Sequence, residues 1–589
     1  MHRWTDNQVR ESSSGIFCSI LLLGLLLGGI AWLCASLIPF SFWLAEIRSL
    51  TATGQITFFT YDYYRGMRLR LALIGTGNIA AAVALLRMRQ QMYQSVGRVF
   101  ADCMVLSRDI GSAARSLPAI DLFGVTAFVL LAAFLRISFL YQPIRSDEAY
   151  TFLQYSSHPF YVALSFYNSP NNHLFHTLLV RIAYLLFGNR LWALRLPAFL
   201  AGLALVPASY IAARSLYRNG GALLASGLVA TSSILVEFST NARGYSMICL
   251  AFVAVIPLAG YAVRHQNRAA WFMLAVVSAL GFYTIPIMLY PFGGVVVWLV
   301  LLATFDDGQP ETRSVVREVA VAIVLTVLIT TELYTPVLAV SGPKSVIANK
   351  WVVANPFHVF VRELPLSLAS TWRLWNRDLS PLITVALAGS FLVSLLWHRR
   401  CSRFRVPLTL ALTLWVVFLL FLQRVVPFER VWLFALPLYF MASAAGFAAL
   451  FSPIPNRRSV PYVMALIAIG VALFEGSRVQ SSPSIYMSTD GRGIEALALY
   501  LKGELKAGDS VVTASPSDAL LLYYFQKEGV PSSYINAAAK PGRMFVVVNK
   551  MSGDTVQKVL QETKRTVGDS QTAKLLVKYD SACLYDVRQ

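Results

Sequence analysis

The chain has 589 residues, 56% of them hydrophobic, with a mean hydropathy of +0.58 and a formal net charge of +20. This composition excludes an ordinary soluble globular protein, because too much apolar surface would meet water. The positive charge does not indicate nucleic-acid binding, since the basic residues cluster in short loops beside apolar runs, a pattern typical of membrane topology and anionic lipid contact.

Apolar runs long enough to cross a hydrocarbon core about 30 Å thick recur along most of the chain. They predict a polytopic α-helical membrane protein with about thirteen transmembrane helices. The predicted spans lie near 16–38, 69–87, 119–140, 195–213, 219–238, 245–263, 269–284, 286–304, 315–337, 380–397, 406–422, 431–450 and 460–475.

One apolar stretch, "HLFHTLLVRIAYLLFG" (residues 173–188), is short and carries Arg181 in its middle. We expect it to lie at the outer surface, because counting it as a span would move the basic segment "HRRCSRFR" outside, against the positive-inside rule. We therefore predict an integral protein of a bacterial-type plasma (inner) membrane. Its polar site and its C-terminal region are expected to be extracytoplasmic.

Composition divides the chain into three regions. Residues 1–118 hold two predicted spans and a basic inner segment, and residues 119–476 form the polytopic core. Residues 477–589 begin with the polar linker "SSPSIYMSTDGRG", after which strand-like runs such as "RMFVVVNK" alternate with amphipathic runs such as "SDALLLYYFQKEG". This alternation predicts a small α/β domain.

An acidic pair follows the third predicted span, within "YQPIRSDEAYTFLQY" (residues 141–155). Carboxylates at the edge of a bilayer gain nothing by extending toward the headgroups, so Asp147 and Glu148 are functional candidates. Asp147 can act as a general base toward an attacking hydroxyl, or it can equally hold a divalent cation. The structural alternative is an ion pair, such as Arg145 with Asp147.

Further polar residues collect on the predicted outer face. Arginine suits an anionic headgroup because its planar fork matches phosphate oxygens, although such residues also serve as interfacial anchors. His173 and His176 lie one helical turn apart, a spacing that suits a metal, but without a third ligand a hydrogen-bonding role is favoured. The loop 338–379 adds Lys344, Lys350, Arg362 and Arg373 beside Trp351 and Trp372. The candidates for substrate binding are Arg145, Asn172, His173, Arg243, Tyr245, Arg424 and Arg430.

Four segments together resemble a known family. They are "RSDEAYTFLQY", "SPNNHLFHTLLVRIAYLLFGNRLWALRLPAFLAG", "VEFSTNARGYSMICLAF" and "QRVVPFERVWLFALP". In this order and on one face, they resemble motifs of the GT-C superfamily of membrane glycosyltransferases. The similar branch holds the protein O-mannosyltransferases and the lipid A aminoarabinose transferase. The resemblance covers roughly 119–476, with two departures: "PNNH" stands where the family has His-Pro-Pro, and the first two spans lie outside it.

The resemblance implies transfer of a sugar from a polyprenyl-phosphate donor to a hydroxyl acceptor, usually with inversion. The acceptor is left open between a protein, a lipid and a glycan, and membrane lipids are further partners. A lipid-phosphate leaving group needs cations rather than a general acid. Asp147 would then be the base, with Glu148 supporting it or orienting the acceptor, and His173 would contact donor or acceptor. The donor phosphate would be bound by Arg243, Arg424 and Arg430. The one cofactor left open is a divalent cation at Asp147.

The alternative is a transporter, or a non-catalytic subunit of a polysaccharide or lipid export system. A transporter would typically have repeated halves and broken helices at the membrane midplane, and neither is expected from this sequence. An oligosaccharyl-type transferase would need a divalent cation. A phosphoethanolamine-type transferase would carry a large soluble catalytic domain, which does not fit the predicted organisation.

Overall fold

The computed structural model describes residues 2–50, 59–218, 220–305, 312–348, 353–451, 460–536, 542–565 and 573–587, and of residues 2–13, 50, 312 and 460 the backbone alone. Lys350 and Trp351 of the long outer loop lie outside the described residues. Long helices make up most of the described chain, and one small sheet lies near its C-terminus. The predicted class, a polytopic α-helical membrane protein with a small C-terminal α/β domain, is confirmed.

Four helices precede the core: α1 (His2–Leu37), α2 (Phe40–Leu50), α3 (Tyr61–Arg87) and α4 (Arg89–Arg115). Helices α1 and α3 cross closely because both have glycine at the crossing, where a Cβ atom on Gly75 would lie 2.8 Å from the carbonyl oxygen of Gly29. Small residues at such a crossing let helix backbones approach one another within a bilayer. The predicted basic inner segment forms the amphipathic helix α4, which packs against α1.

Long and short helices follow one another in the core. They are α5 (Ala119–Phe139), α6 (Ser146–Thr151), α7 (Phe160–Ser165), α8 (Leu174–Phe187), α9 (Leu191–Leu216), α10 (Ala222–Thr231), α11 (Ser233–Ser239), α12 (Tyr245–His265), α13 (Arg268–Thr284), α14 (Leu289–Phe305), α15 (Thr312–Val340), α16 (Pro343–Ile347), α17 (Phe357–Trp375), α18 (Pro381–Leu396), α19 (His398–Cys401), α20 (Leu408–Gln423), α21 (Ala435–Leu450) and α22 (Val460–Ser481). A π-helical turn continues α6 over Phe152–Ser156, and 3₁₀ turns precede α14 and α21 at Pro286–Met288 and Glu429–Phe434. The predicted core ends at 476, whereas α22 continues to Ser481.

Helix length gives fewer spans than the thirteen expected. In the described part of the chain, nine helices are long and apolar enough to cross a membrane, or ten if a bent pair counts as one span. The runs predicted near 269–284, 380–397 and 406–422 are helical, but these helices have only 17, 16 and 16 residues. The segment predicted not to span is the 14-residue helix α8.

The run predicted as one span near 219–238 is broken. Helices α10 and α11 meet at a bend of 60°, and Ser232 between them has an extended backbone, with ψ of 119°. The buried guanidinium of Arg136 donates to the carbonyl oxygen of Ala230 (3.0 Å) and to Oγ of Ser239 (2.8 Å). A carbonyl freed by a helix break needs such a partner in apolar surroundings. Neither glycine nor proline marks the break, so the apolar pattern predicts a continuous helix there.

The C-terminal domain is a four-stranded sheet with helices. Its elements are α23 (Ser484–Met487), α24 (Ile494–Glu504), β1 (Ser510–Thr513), α25 (Ser517–Glu528), β2 (Met544–Asn549), α26 (Val556–Glu562), β3 (Lys574–Tyr579) and β4 (Ala582–Val587), with 3₁₀ turns at Ser532–Tyr534 and Lys550–Ser552. The strand order is β1-β2-β4-β3. Strands β1 and β2 are parallel, and the other two pairs are antiparallel.

Helix α25 fastens this domain onto the loop that follows α5. The hydroxyl of Tyr524 accepts a hydrogen bond from the backbone N–H of Ile144 (3.2 Å), and the hydroxyl of Tyr523 donates to Oδ1 of Asn189 (2.9 Å). Both tyrosines are fully buried, in an apolar cluster that includes Phe152 and Leu194 of the core. The domain therefore packs directly against the segment that carries the acidic pair.

Candidate active site

Helix α6 carries Asp147 and Glu148 at its start, directly after the loop that follows the span α5. The linker before α24 fixes this start, because the backbone N–H of Ser146 donates to Oδ1 of Asp490 (3.1 Å). Successive residues of a helix lie about 100° apart, so adjacent side chains face different surroundings. The Asp147 side chain is 40% exposed and that of Glu148 only 1%.

Glu148 is a buried anchor. Arg195 of α9 donates to both of its carboxylate oxygens, from Nε (2.9 Å) and from Nη2 (2.8 Å). The backbone N–H groups of Arg145 and Ala242 donate to it as well, at 2.9 and 2.5 Å. Burial alone would raise the pKa of Glu148, but the charge and hydrogen bonds of Arg195 hold this pKa below its ordinary value. Because this carboxylate is enclosed, the burial fits the predicted supporting role of Glu148 better than a direct contact with the acceptor. Both roles stay predictions.

Asp147 is the carboxylate that meets open space. Its Oδ1 accepts a hydrogen bond from Nδ2 of Asn171 (2.9 Å), and its Oδ2 lies 3.7 Å from Nη2 of Arg243. The charge of Arg243 lowers the pKa of Asp147 against the opposing effect of burial, and Arg430 lowers it further. The carboxylate is therefore ionised at neutral pH, the state that a general base requires.

Arg243 lies beneath this carboxylate and is almost fully buried. It donates from Nη1 to Oγ1 of Thr151 and to the carbonyl oxygen of Asn171, both at 3.2 Å, and from Nη2 to Oδ1 of Asn171 (3.1 Å). Asn171 thus uses both ends of its amide, one on Asp147 and one on Arg243. The arrangement fixes the orientation of the carboxylate.

Arg430 is the second cation of the cluster, in the 3₁₀ turn before α21. Its Nε donates to the hydroxyl of Tyr245 (3.0 Å), and its guanidinium lies over the ring of Phe428. No other hydrogen bond joins its guanidinium to the described residues, so its terminal nitrogens remain available to a ligand. Arg424, predicted beside it, is exposed at the end of α20, and no described residue binds its side chain.

Arg145, predicted to bind substrate, points away from the cluster. Its guanidinium forms an ion pair with Glu237 (3.0 Å) and donates to the carbonyl oxygen and hydroxyl of Ser488 (both 3.1 Å). Arg377 binds the same Glu237. These contacts use the side chain of Arg145 to hold the linker, and among the described residues its ion-pair partner is Glu237 and not Asp147. Its role in substrate binding stays a prediction.

Asn172 and His173 are also held by the fold. Asn172 is buried, and its Nδ2 donates to the carbonyl oxygens of Ala163 (3.0 Å) and Phe166 (2.9 Å), so it shapes the outer loop and does not face the cluster. Nδ1 of the buried His173 accepts the backbone N–H of Gly244 (2.9 Å). Burial and the nearby Arg243 lower the pKa of His173 well below its ordinary value, so the ring is neutral. It positions the turn that carries Arg243.

The residues around Asp147 do not form a set of metal ligands. One carboxylate faces two guanidinium groups, and like-charged neighbours oppose a bound cation. Among the residues that the structure describes, no three His, Cys, Asp or Glu side chains gather as ligands. The described residues therefore supply no third metal ligand to His173 and His176.

Three residues of the cluster were missing from the predicted site. Arg195 belongs to the "RLP" of the second quoted segment, and Asn171 to its "PNNH". Thr151 lies one helical turn after Asp147 and Glu148 and binds Arg243. Arg195 and Asn171 are polar residues in segments that the sequence analysis quoted, and this was the available signal. Their partners lie 47 and 24 positions away in the chain, so the spacing of residues does not reveal the pairing.

Comparison with known proteins gives a match to a family model and a similarity of fold. Residues 171–334 match the family model described as dolichyl-phosphate-mannose-protein mannosyltransferase. This region contains Asn171, His173, Arg195 and Arg243. No curated protein sequence matches the chain.

Among solved structures, the chain is similar to ArnT from Cupriavidus metallidurans in the apo state, with 13% identity, a TM-score of 0.52, and coverage of 78% of this chain and 97% of that one. The structure of ArnT bound to undecaprenyl phosphate gives 14% identity and the same TM-score and coverage. These likenesses show that the chain has the fold of ArnT. The predicted resemblance is confirmed at this level.

Proposed function

We propose that this protein transfers a hexosyl or pentosyl group from a polyprenyl-phosphate-linked donor to a hydroxyl acceptor. We further propose that the reaction takes place on the extracytoplasmic side of a bacterial-type plasma membrane, with Asp147 as general base. The observation that carries the proposal is the partly exposed, ionised Asp147, which lies 3.7 Å from Arg243 and whose pKa is also lowered by the charge of the partly unpaired Arg430. The ArnT-like fold supports the donor class, since one ArnT structure holds undecaprenyl phosphate.

The chemistry follows from the charges in this cluster. The acceptor hydroxyl oxygen attacks the anomeric carbon of the donor sugar, and its proton passes to the carboxylate of Asp147. The bond between the anomeric carbon and the phosphate oxygen breaks as the new glycosidic bond forms. A single displacement of this kind inverts the configuration at the anomeric carbon.

The leaving group is a polyprenyl phosphate, which gains negative charge as the bond breaks. The terminal nitrogens of Arg430 can donate to its oxygens, and Arg243 adds a second fixed positive charge. Cations held in place before the reaction stabilise developing charge most effectively at the edge of a low-dielectric region. No protonated general acid is required.

The decisive test is Asp147→Asn, which keeps the shape and the hydrogen bond from Asn171 but removes the base. We expect transfer from a lipid-linked sugar to fall about 10²- to 10⁴-fold, the usual contribution of a general base. The measurement is the sugar-modified product in membranes that express the chain, together with the lipid-linked sugar that accumulates. Asp586→Asn, the same chemical change in the C-terminal domain, is the matched control.

Wild-type transfer by Asp147→Asn would contradict the proposal. The same result would favour the alternative of a non-catalytic subunit or transporter, in which the cluster is a structural ion network. Thermal unfolding of the purified variant shows whether it remains folded, because the substitution removes the charged partner of the buried Arg243. Transfer is compared only for folded protein.

A further inference from the structure

A cavity of about 610 Å³ lies between the N-terminal helices and the outer loop of the core. Helices α1, α2 and α3 line one side, and the segment 154–168 with the end of α15 lines the other. This N-terminal cavity lies at the ends of α1 and α15 and the start of α3, the level at which the acidic pair follows α5. Its volume is that of a ligand site.

The wall formed by α1 and α3 is fixed to the core. Nε and Nη2 of Arg70 donate to the carbonyl oxygens of Ala339 (2.9 Å) and Val340 (3.0 Å). The hydroxyl of Tyr63 also donates to the carbonyl oxygen of Val340 (2.8 Å). The close crossing at Gly29 and Gly75 holds α1 against α3. These contacts hold the wall of the cavity in a fixed position against the core.

The lining of the N-terminal cavity is apolar and lacks cations. Aromatic and aliphatic residues form most of it, among them Trp32, Trp43 and Phe160, and the described lining residues include no Lys or Arg. Glu46 is its acidic member and is bonded to the hydroxyl of Tyr161. Burial lowers the pKa of His158, so this imidazole is neutral at neutral pH. A phosphate group would find no positive partner here and one negative neighbour, whereas a hydrocarbon chain fits.

One polar lining residue of this cavity, Asn168, lies close in the chain to a residue that binds Asp147. Asn168 lines the cavity, and its Oδ1 accepts a hydrogen bond from the hydroxyl of Tyr155 (2.5 Å). Asn171, three positions later and at most about 11 Å away along the chain, donates to Asp147. The lining of the cavity and the hydrogen bond to Asp147 therefore belong to one short segment, residues 168–171.

A second apolar cavity, of about 320 Å³, lies between α17, α20 and the start of α21. Trp372, Trp375 and Trp432 line it, and Trp432 is in the same 3₁₀ turn as Arg430. Arg430 lies two positions before the lining residue Trp432, so the second cavity is the one with an arginine close to it in the chain. The described lining residues of the N-terminal cavity include a carboxylate, Glu46 beside α7, and no cation.

We propose that the N-terminal cavity holds the hydrocarbon chain of the acceptor, and that the acceptor is therefore a membrane lipid whose headgroup presents a hydroxyl to Asp147. This inference rests on the proposed function and narrows its acceptor from a protein, lipid or glycan to a lipid. It assigns the N-terminal helices a binding role. The hydrocarbon chain of the donor occupies the second cavity, to which Arg430 lies close in the sequence.

The test fills the cavity from two walls. Ala35→Trp projects an indole from α1 and Leu164→Trp from α7, while Ala31→Trp, on an exposed position of α1 outside the lining, is the matched control. Displacing about two methylene groups of a bound chain should reduce transfer about tenfold. Membranes expressing each variant, the wild type and Asp147→Asn are separated into lipid and protein fractions, and sugar-modified molecules are identified by mass spectrometry.

We expect a sugar-modified lipid that is lost in Asp147→Asn, reduced about tenfold by both filling variants and unchanged by Ala31→Trp. Polyprenyl phosphate retained by the purified protein should be the same in Ala35→Trp and Ala31→Trp. A product found on protein, equal activity of all three Trp variants, or loss of polyprenyl phosphate in the filling variants would overturn the inference while leaving the proposed function intact. Absence of any Asp147-dependent product would overturn the proposed function and the inference with it.

Discussion

Two neighbouring carboxylates anchor two networks of opposite character. The Glu148 network is closed: Arg195 and two backbone N–H groups satisfy the carboxylate, and Arg195 also donates to the carbonyl oxygens of Leu140, Gln142 and Pro143. The Asp147 network is open, since its carboxylate is partly exposed and Arg430 keeps nitrogens unpaired among the described residues. A closed network defines a shape, whereas an open one can bind and react. The difference shows why charge at a membrane edge does not by itself identify a catalytic residue.

The largest effect should come from breaking the closed network. Arg195→Met leaves the buried Glu148 without its main partner, and removing one member of a buried pair costs about 3–5 kcal/mol. We expect a large drop in thermal unfolding temperature in detergent and loss of the folded protein from membranes. Arg190→Met, an exposed arginine just before α9, should leave both unchanged.

The double variant Glu148→Met with Arg195→Met sharpens this prediction. It removes the unpaired charge and should recover part of the lost stability, although the three loop carbonyls remain without Arg195. If Arg195→Met unfolded at the wild-type temperature, the closed network would not be the anchor described here.

The next effect concerns the open network. Arg430→Gln removes a positive charge from the expected position of the leaving phosphate, and loss of one such donor costs about 10²-fold in turnover. Thermal stability should change little, because most of its hydrogen-bonding capacity is unused within the described residues. Arg424→Gln, six positions earlier and exposed, is the control. Equal losses in turnover for both variants would mean that Arg430 acts only by bulk charge.

The membrane-spanning helices can be predicted from the sequence because the length and hydrophobicity of a span are properties of one continuous segment. In the described chain, the nine helices that are long and apolar enough to cross a membrane correspond to predicted apolar runs. The bend at Ser232 could not be predicted in this way, since it depends on Arg136 of another helix supplying a donor to a freed carbonyl. Helix α17, within the loop 338–379, escaped prediction because an amphipathic helix lacks a continuous apolar run.

The site was predictable in residue type and less so in role. The structure pairs four of the residues predicted as polar groups on one face: Asp147 with Arg243, and Arg430 with Tyr245. Arg145 and Asn172 were chosen by the same criterion but bind the linker and the outer loop. Their roles depend on which partner lies closest after folding, and a charge beside a span carries no information about that partner.

Asn171 connects the cations to the base, so its loss should have an intermediate effect. Asn171→Ala removes one hydrogen bond to Asp147 and one to Arg243. Each is worth about 1 kcal/mol, so we expect turnover to fall about tenfold as the carboxylate loses its fixed orientation. The measurement is turnover at saturating donor, with Asn376→Ala as an amide control. Unchanged turnover would show that Arg243 alone orients Asp147.

The smallest effect is a shift in pH dependence. The folded state lowers the pKa of Asp147, chiefly through Arg243, so ionised Asp147 favours folding and catalysis above the unfolded-state pKa of about 3.9. Both contributions are lost only as pH falls through the lower, folded-state pKa. Turnover should therefore not depend on Asp147 ionisation between about pH 5 and 8. In Arg243→Gln the remaining burial effect raises the pKa of Asp147, so the acid limb of the pH–rate profile should move to higher pH. An unmoved limb would assign it to another group and would separate Arg243 from the base. Arg430 would then be the arginine of the open network that acts in catalysis.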